Sequence, residues 1–159
     1  MTGELGVDYS RRLENGESVM LTTVLLVEDE TLCREAARAV LEYLGLLADS
    51  AASAEEALAA FDPGKHAVVV TDHCMPGMSG GELATELKRR SPSTPVIMHS
   101  ACPPQESPGI DAILNKPARL EDFRHALSRF VQIQSRPRLT SGPPASRDGE
   151  TSRVASSLE

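Results

Sequence analysis

Residues 68–80 read VVVTDHCMPGMSG. Three β-branched valines belong in the interior of a sheet, yet the run ends on a carboxylate, Asp72, before Pro76 and Gly77 force a turn. A lone aspartate at that place reads as a strand-end cap. What the other strands of the same chain end on decides whether Asp72 is more than that.

Working outward, Val24-Leu25-Leu26-Val27 is a second short continuous apolar run, the mark of a strand covered on both faces. Leu32, Ala36, Ala39, Val40, Tyr43 and Leu44 then recur at helical spacing, and Gly45 is a natural stop. A weak strand is predicted over 46–51. Ser53 with Glu56 forms a capping box for a helix carrying Ala57, Leu58 and Phe61. Ser79 with Glu82 forms another, opening a helix to about Arg90. Pro95–His99 predicts a fourth strand and Ala112–Leu114 a short fifth. Phe123, Ala126, Leu127, Phe130 and Val131 share one face of a final helix. Strands alternating with helices predict an α/β fold, a doubly wound five-stranded parallel sheet.

The chain divides by composition. Residues 1–22 are polar with no sustained apolar period and read as a flexible extension. Residues 23–131 form the folded domain. Residues 132–159, rich in Ser, Pro and Arg, read as a disordered tail. A length of 159 residues suffices for one domain with a real core. Aromatics make up only 3% and Trp is absent, so the core is aliphatic. The net charge of −7 argues against nucleic acid, whose phosphates call for clustered Lys and Arg. No segment has the length of a membrane span. Cys33, Cys74 and Cys102 follow no metal-ligand spacing, and without a signal peptide they read as reduced thiols of a cytoplasmic protein.

In open parallel sheets, ligands bind beyond the carboxyl ends of the strands. Glu28 and Asp29 follow the first strand and Asp72 the third. Ser100 ends the fourth, and Lys116 follows the fifth. Singly, Glu28 and Asp29 read as dipole-favoured residues at a helix start, and Lys116 as a surface lysine. Together, three carboxylates, a hydroxyl and an ammonium meet on one rim. Hard Mg²⁺ takes oxygen ligands and tolerates retained waters, and it offsets the repulsion between clustered carboxylates. A carboxylate can attack phosphorus, while Lys116 and Ser100 can receive the incoming phosphoryl group. The set reads as a phosphoryl-acceptor site acting by positioning and electrostatics. His73 and His99 have no spaced partner and read as bystanders.

VLLVEDE, VVVTDHCMPGMSG, VIMHSA and ILNKPA, in that order, resemble the four signature segments of the bacterial response-regulator receiver domain. The resemblance implies that Asp72 accepts a phosphoryl group from a histidine kinase or histidine phosphotransfer protein. It gives Mg²⁺ to Asp29, Asp72 and the backbone carbonyl of Cys74, with Glu28 helping through water. Ser100 becomes the switch hydroxyl, Lys116 the phosphate-contacting lysine, and Pro117 is expected after a cis peptide. The downstream partner is an unspecified protein, and a homodimer stays open.

Three departures qualify it. Ile113 stands where the family often has Tyr or Phe. The segment ACPPQESPGIDAILN after Ser100 is short and carries Pro103, Pro104 and Pro108, so the usual fourth helix is expected to be missing or reduced to a turn. Neither terminus offers an obvious DNA-binding domain, so the expectation is a stand-alone receiver signalling by protein–protein contact. A phosphate sink or shuttle in a phosphorelay is the alternative, and a non-phosphorylated interaction scaffold another. A phosphatase is disfavoured because Cys74, not an acid, lies two residues past the candidate nucleophile.

Overall fold

The computed structural model describes residues 10–12 and 18–133. Two short strands, β1 (Ser10–Arg12) and β2 (Ser18–Met20), pair antiparallel. They fall within the expected flexible extension over 1–22, of which residues 10–12 and 18–22 are described. The Asn15-Gly16 pair between them is a hairpin signal that the apolar period does not register. The expected tail lies outside the described residues from 134 onward.

The domain proper runs β3 (Thr23–Val27), α1 (Thr31–Tyr43), β4 (Leu47–Ala51), α2 (Ala54–Ala60), β5 (His66–Thr71), α3 (Gly80–Arg90), β6 (Val96–Ser100), β7 (Ala112–Asn115) and α4 (Leu120–Ser128). The five strands β3–β7 form one parallel sheet in the order β4-β3-β5-β6-β7. The chain steps outward from β3 to β4, then returns across β3 to β5. That reversal makes the ends of β3 and β5 the topological switch point, where such sheets open a crevice.

Alternation along the strands sorts the core into two layers. Val24 and Leu26 of β3, Val68 and Val70 of β5 and Ile97 of β6 face Ala37 and Leu41 of α1 and Phe123, Ala126 and Leu127 of α4. Leu25, Val27, Val69 and Val96 face Ala54 and Ala57 of α2 and Leu83, Ala84 and Leu87 of α3. The valine and leucine runs are therefore continuous because both faces are covered. Phe130 and Val131 lie past the end of α4 and still pack on its layer.

The two predicted caps differ. Ser79 and Glu82 make the full reciprocal box that starts α3. Ser53 accepts from the Glu56 N–H, but Glu56 Oε2 accepts from the Ala52 N–H at 2.7 Å rather than from that of Ser53. Only half the expected box is present.

Between β6 and β7 no helix forms, as three prolines dictate. Ile110 reaches the layer under α2 and α3 in its place, while Ile113 on β7 remains 48% exposed.

Candidate functional site

The rim is assembled by backbone bonds between strand ends before any side chain acts. Asp72 N–H donates to Val27 O at 2.9 Å, Glu28 N–H to Ala51 O at 3.1 Å and Lys116 N–H to Ser100 O at 3.0 Å. Beyond Asp72 the loop doubles back, and Gly80 N–H donates to His73 O at 3.0 Å. A Cβ on Gly80 would lie 1.9 Å from Asp72 O, so only glycine permits this close approach. The turn itself uses Gly77 at φ 77°.

Glu28, Asp29 and Asp72 each offer a carboxylate oxygen within 4.8 Å of the others. Lys116 Nζ donates to Glu28 Oε2 at 2.7 Å and to Asp72 Oδ2 at 3.0 Å. Asp72 Oδ1 also accepts from the His73 N–H at 2.6 Å. Burial pushes the Asp72 carboxyl up, but Lys116, the His73 N–H and the Ser100 hydroxyl together hold it below the usual carboxylate range. At Glu28, which is 3% exposed, burial outweighs the same lysine and the carboxyl is raised. Lys116 is pulled down by burial and more than restored by its two carboxylates, ending above its ordinary value. The site thus favours the charged form of Asp72 more than that of Glu28.

The side chain of Ser100 is almost fully buried, and its Oγ accepts from the Cys102 N–H at 3.3 Å. The structure therefore brings together Glu28, Asp29, Asp72, Ser100 and Lys116, and the Lys116–Pro117 peptide is cis as expected. Cys74 sits in the loop after Asp72 with an exposed side chain, and all three cysteines are free thiols. Cys33 donates to Glu30 Oε2 at 3.3 Å. Neither histidine joins the acidic cluster. His99 instead packs edge-on against Phe123 with ring centroids 4.9 Å apart, and burial, with Lys116 nearby, lowers its pKa to about 4. His73 keeps a buried Nδ1 without a hydrogen-bond partner.

Two contributors escaped the sequence reading. Gly80 carried no signal beyond its place after the cap Ser79. Arg34, in the first turn of α1, donates to the backbone carbonyls of Glu28 and Asp29; its one sequence clue is a cation at the helix end that disfavours it.

Three hard oxygen ligands at this spacing suit a divalent cation such as Mg²⁺, which needs few protein ligands and keeps waters. Among the described residues no helix is long and apolar enough to cross a membrane.

A family model for the response regulator receiver domain matches residues 24–128. The aerobic respiration control sensor protein ArcB of Escherichia coli K12 is 33% identical over 119 residues, covering 70% of this chain and 15% of ArcB. The transcriptional regulatory protein TcrA of Mycobacterium tuberculosis H37Rv is 33% identical over 128 residues, covering 75% of this chain and 51% of TcrA. The chain thus spans about half or less of the length of these curated relatives. Among solved structures, the response regulator protein TrrA of Thermotoga maritima, crystallised with Mg²⁺-BeF, aligns with a TM-score of 0.65 at 27% identity, over 70% of this chain and 100% of TrrA. TrrA has also been solved in complex with the histidine kinase ThkA. With the family match running from the first sheet strand to the last helix, and the acid rim at the switch point of the sheet, this chain belongs to the response-regulator receiver domain family.

Proposed function

We propose that the chain is a phosphorylation-controlled switch in which Asp72 is the acceptor. The observation that carries this is the Lys116 ammonium bridging Glu28 and Asp72 within a cluster of three carboxylates. Lys116, the His73 N–H and the Ser100 hydroxyl favour the carboxylate form of Asp72, the form that attacks phosphorus. An Asp72 oxygen attacks the phosphorus of a phosphohistidine on a histidine kinase or phosphotransfer protein. The P–N bond breaks as the acyl phosphate O–P bond forms, and the imidazole leaves with a proton from solvent. Asp29, Asp72 and the Cys74 carbonyl would hold Mg²⁺, with Glu28 acting through water. Bound Mg²⁺ supplies neutralisation of the charge gathering among carboxylates and phosphoryl oxygens. Lys116 then shifts its donation from Asp72 to a phosphoryl oxygen, and Ser100 donates its hydroxyl to another. The ThkA–TrrA complex supports a kinase partner by analogy. A cytoplasmic location belongs to the same reading.

Intact-mass measurement with acetyl phosphate and Mg²⁺ tests it. Wild type should gain one phosphoryl group, labile to base, and Asp72→Asn none; undiminished labelling of Asp72→Asn would show that the acceptor is elsewhere. Asp29→Ala should weaken Mg²⁺ binding more than Glu28→Ala.

Exposed Ile113 and the helix-free segment favour a second reading, a constitutive interaction scaffold. Wild type inert to acetyl phosphate yet correctly folded would support it instead.

A further inference from the structure

We infer that Arg34 is the positioning residue for Asp29, setting the metal-binding carboxylate from the first turn of α1. The inference rests on the Mg²⁺ reading above and adds to it a residue that touches neither metal nor phosphoryl group. Its guanidinium folds back over the loop that links β3 to α1. One nitrogen donates to Glu28 O at 2.7 Å and to Asp29 O at 3.2 Å, and the other reaches Thr31 Oγ1 at 3.4 Å. The arginine is partly buried in doing so.

The three carboxylates differ in what holds them. Glu28 is fixed by Lys116 and by the Glu30 N–H. Asp72 is fixed by Lys116 and by the His73 N–H. Among the described residues, the Asp29 carboxylate has no hydrogen bond or ion pair. Its place depends on its backbone alone, and that backbone is held by Arg34. Bonding to its carbonyl rather than to its carboxylate leaves both Asp29 carboxylate oxygens to a cation. A planar fork of donors can hold two adjacent carbonyls at once, which a point charge does less well.

The location also opposes the helix field. Helix α1 has no acidic residue in its first turn and no side-chain cap on Glu30, so a cation there meets the positive end of the dipole. The carbonyl contacts offset that disadvantage.

The sign of the effect separates positioning from charge. By Coulomb's law alone, removing a cation next to the cluster should tighten Mg²⁺ binding. Loss of positioning should weaken it, by about tenfold or more as for other supporting residues around metal ligands. The experiment is calorimetric titration of the full chain with MgCl₂ at fixed ionic strength, on wild type, Arg34→Ala, Arg34→Lys and Arg38→Ala. Arg38 is the control because it lies one turn further along α1, paired with Glu42. The expected order is an affinity lowered most in Arg34→Ala, partly restored in Arg34→Lys and unchanged in Arg38→Ala. Unchanged or tighter binding by Arg34→Ala overturns the inference while leaving the metal site standing. Unfolding of the metal-free protein in both Arg34 variants also overturns it, since Arg34 would then be structural. Absence of Mg²⁺ binding in wild type brings down the metal reading and this inference with it.

Discussion

The loop from Asp72 to Gly80 and the loop from Ala101 to Asp111 leave adjacent strands of one sheet, β5 and β6. The first is closed on itself by the Gly80–His73 bond and leaves no room for a single added carbon at Gly80. Glu55 of α2 also reaches across to accept from its Met78 N–H. The second has no helix, exposes Cys102, Gln105 and Glu106, and is tied at its start by the Cys102 N–H to Ser100 Oγ and more firmly near its end. There Gly109 turns at φ 85° against α3. Asp111 Oδ2 accepts from Val96 N–H at 2.8 Å and pairs with Lys88 at 2.7 Å. The contrast teaches that the side carrying the proposed acceptor is held by backbone packed directly on backbone. The neighbouring side does without a helix while the strand beneath stays anchored through Asp111.

The hardest test of the rigid side is Gly80→Ala. A methyl driven against the Asp72 carbonyl must displace backbone, at a cost of about 3 kcal/mol or more, and should abolish phosphoryl uptake. Denaturant unfolding with parallel mass measurement checks both; near-normal stability would break the comparison.

Next comes His99, on β6 one residue before Ser100. Its folded-state pKa of about 4 lies below its ordinary 6.5. A depressed pKa in a histidine means that the neutral form is favoured by folding. The stabilisation is complete above pH 6.5 and is lost as pH falls toward 4. The gap corresponds to about 3 kcal/mol. His99→Leu should flatten the stability profile across that window, and an unchanged slope would place the proton uptake elsewhere.

Asp111→Ala sharpens the contrast within the second loop. It leaves the N–H of fully buried Val96 without its acceptor and Lys88 without its carboxylate, though Lys88 keeps the Thr94 carbonyl, costing about 2 kcal/mol. Hydrogen exchange should quicken around residues 107–111 and 96, while phosphoryl uptake stays near normal. Glu106→Ala, exposed and unanchored, should change stability by less than about 0.5 kcal/mol. A large effect there would show hidden order in the helix-free segment.

Much of this was legible in the residues because it depends on local rules. Val24–Val27 and Val68–Val70 could only be strands covered on both faces. Acids after two of the strands and a lysine after the last could meet only on one rim of a parallel sheet. Pro103, Pro104 and Pro108 ruled out a regular helix wherever the segment lay. Ser79 and Glu82 are three residues apart, so their box closes within one helical turn.

Other features depend on how neighbouring segments are turned against one another once the fold is assembled, and no residue pattern encodes that. Glu56 turned to the Ala52 N–H instead of its own cap because the approach from β4 presented that donor. Gly80 is indispensable only because Asp72 O lies against it once the loop closes. Arg34 looks like any helix cation until α1 packs beside β3 and its guanidinium meets two strand-end carbonyls. The types of group at the acceptor site were thus set along the chain, where covalent order and short-range sterics act. Their positions were decided by packing, because only the assembled sheet brings residues 28, 72, 100 and 116 within bonding distance.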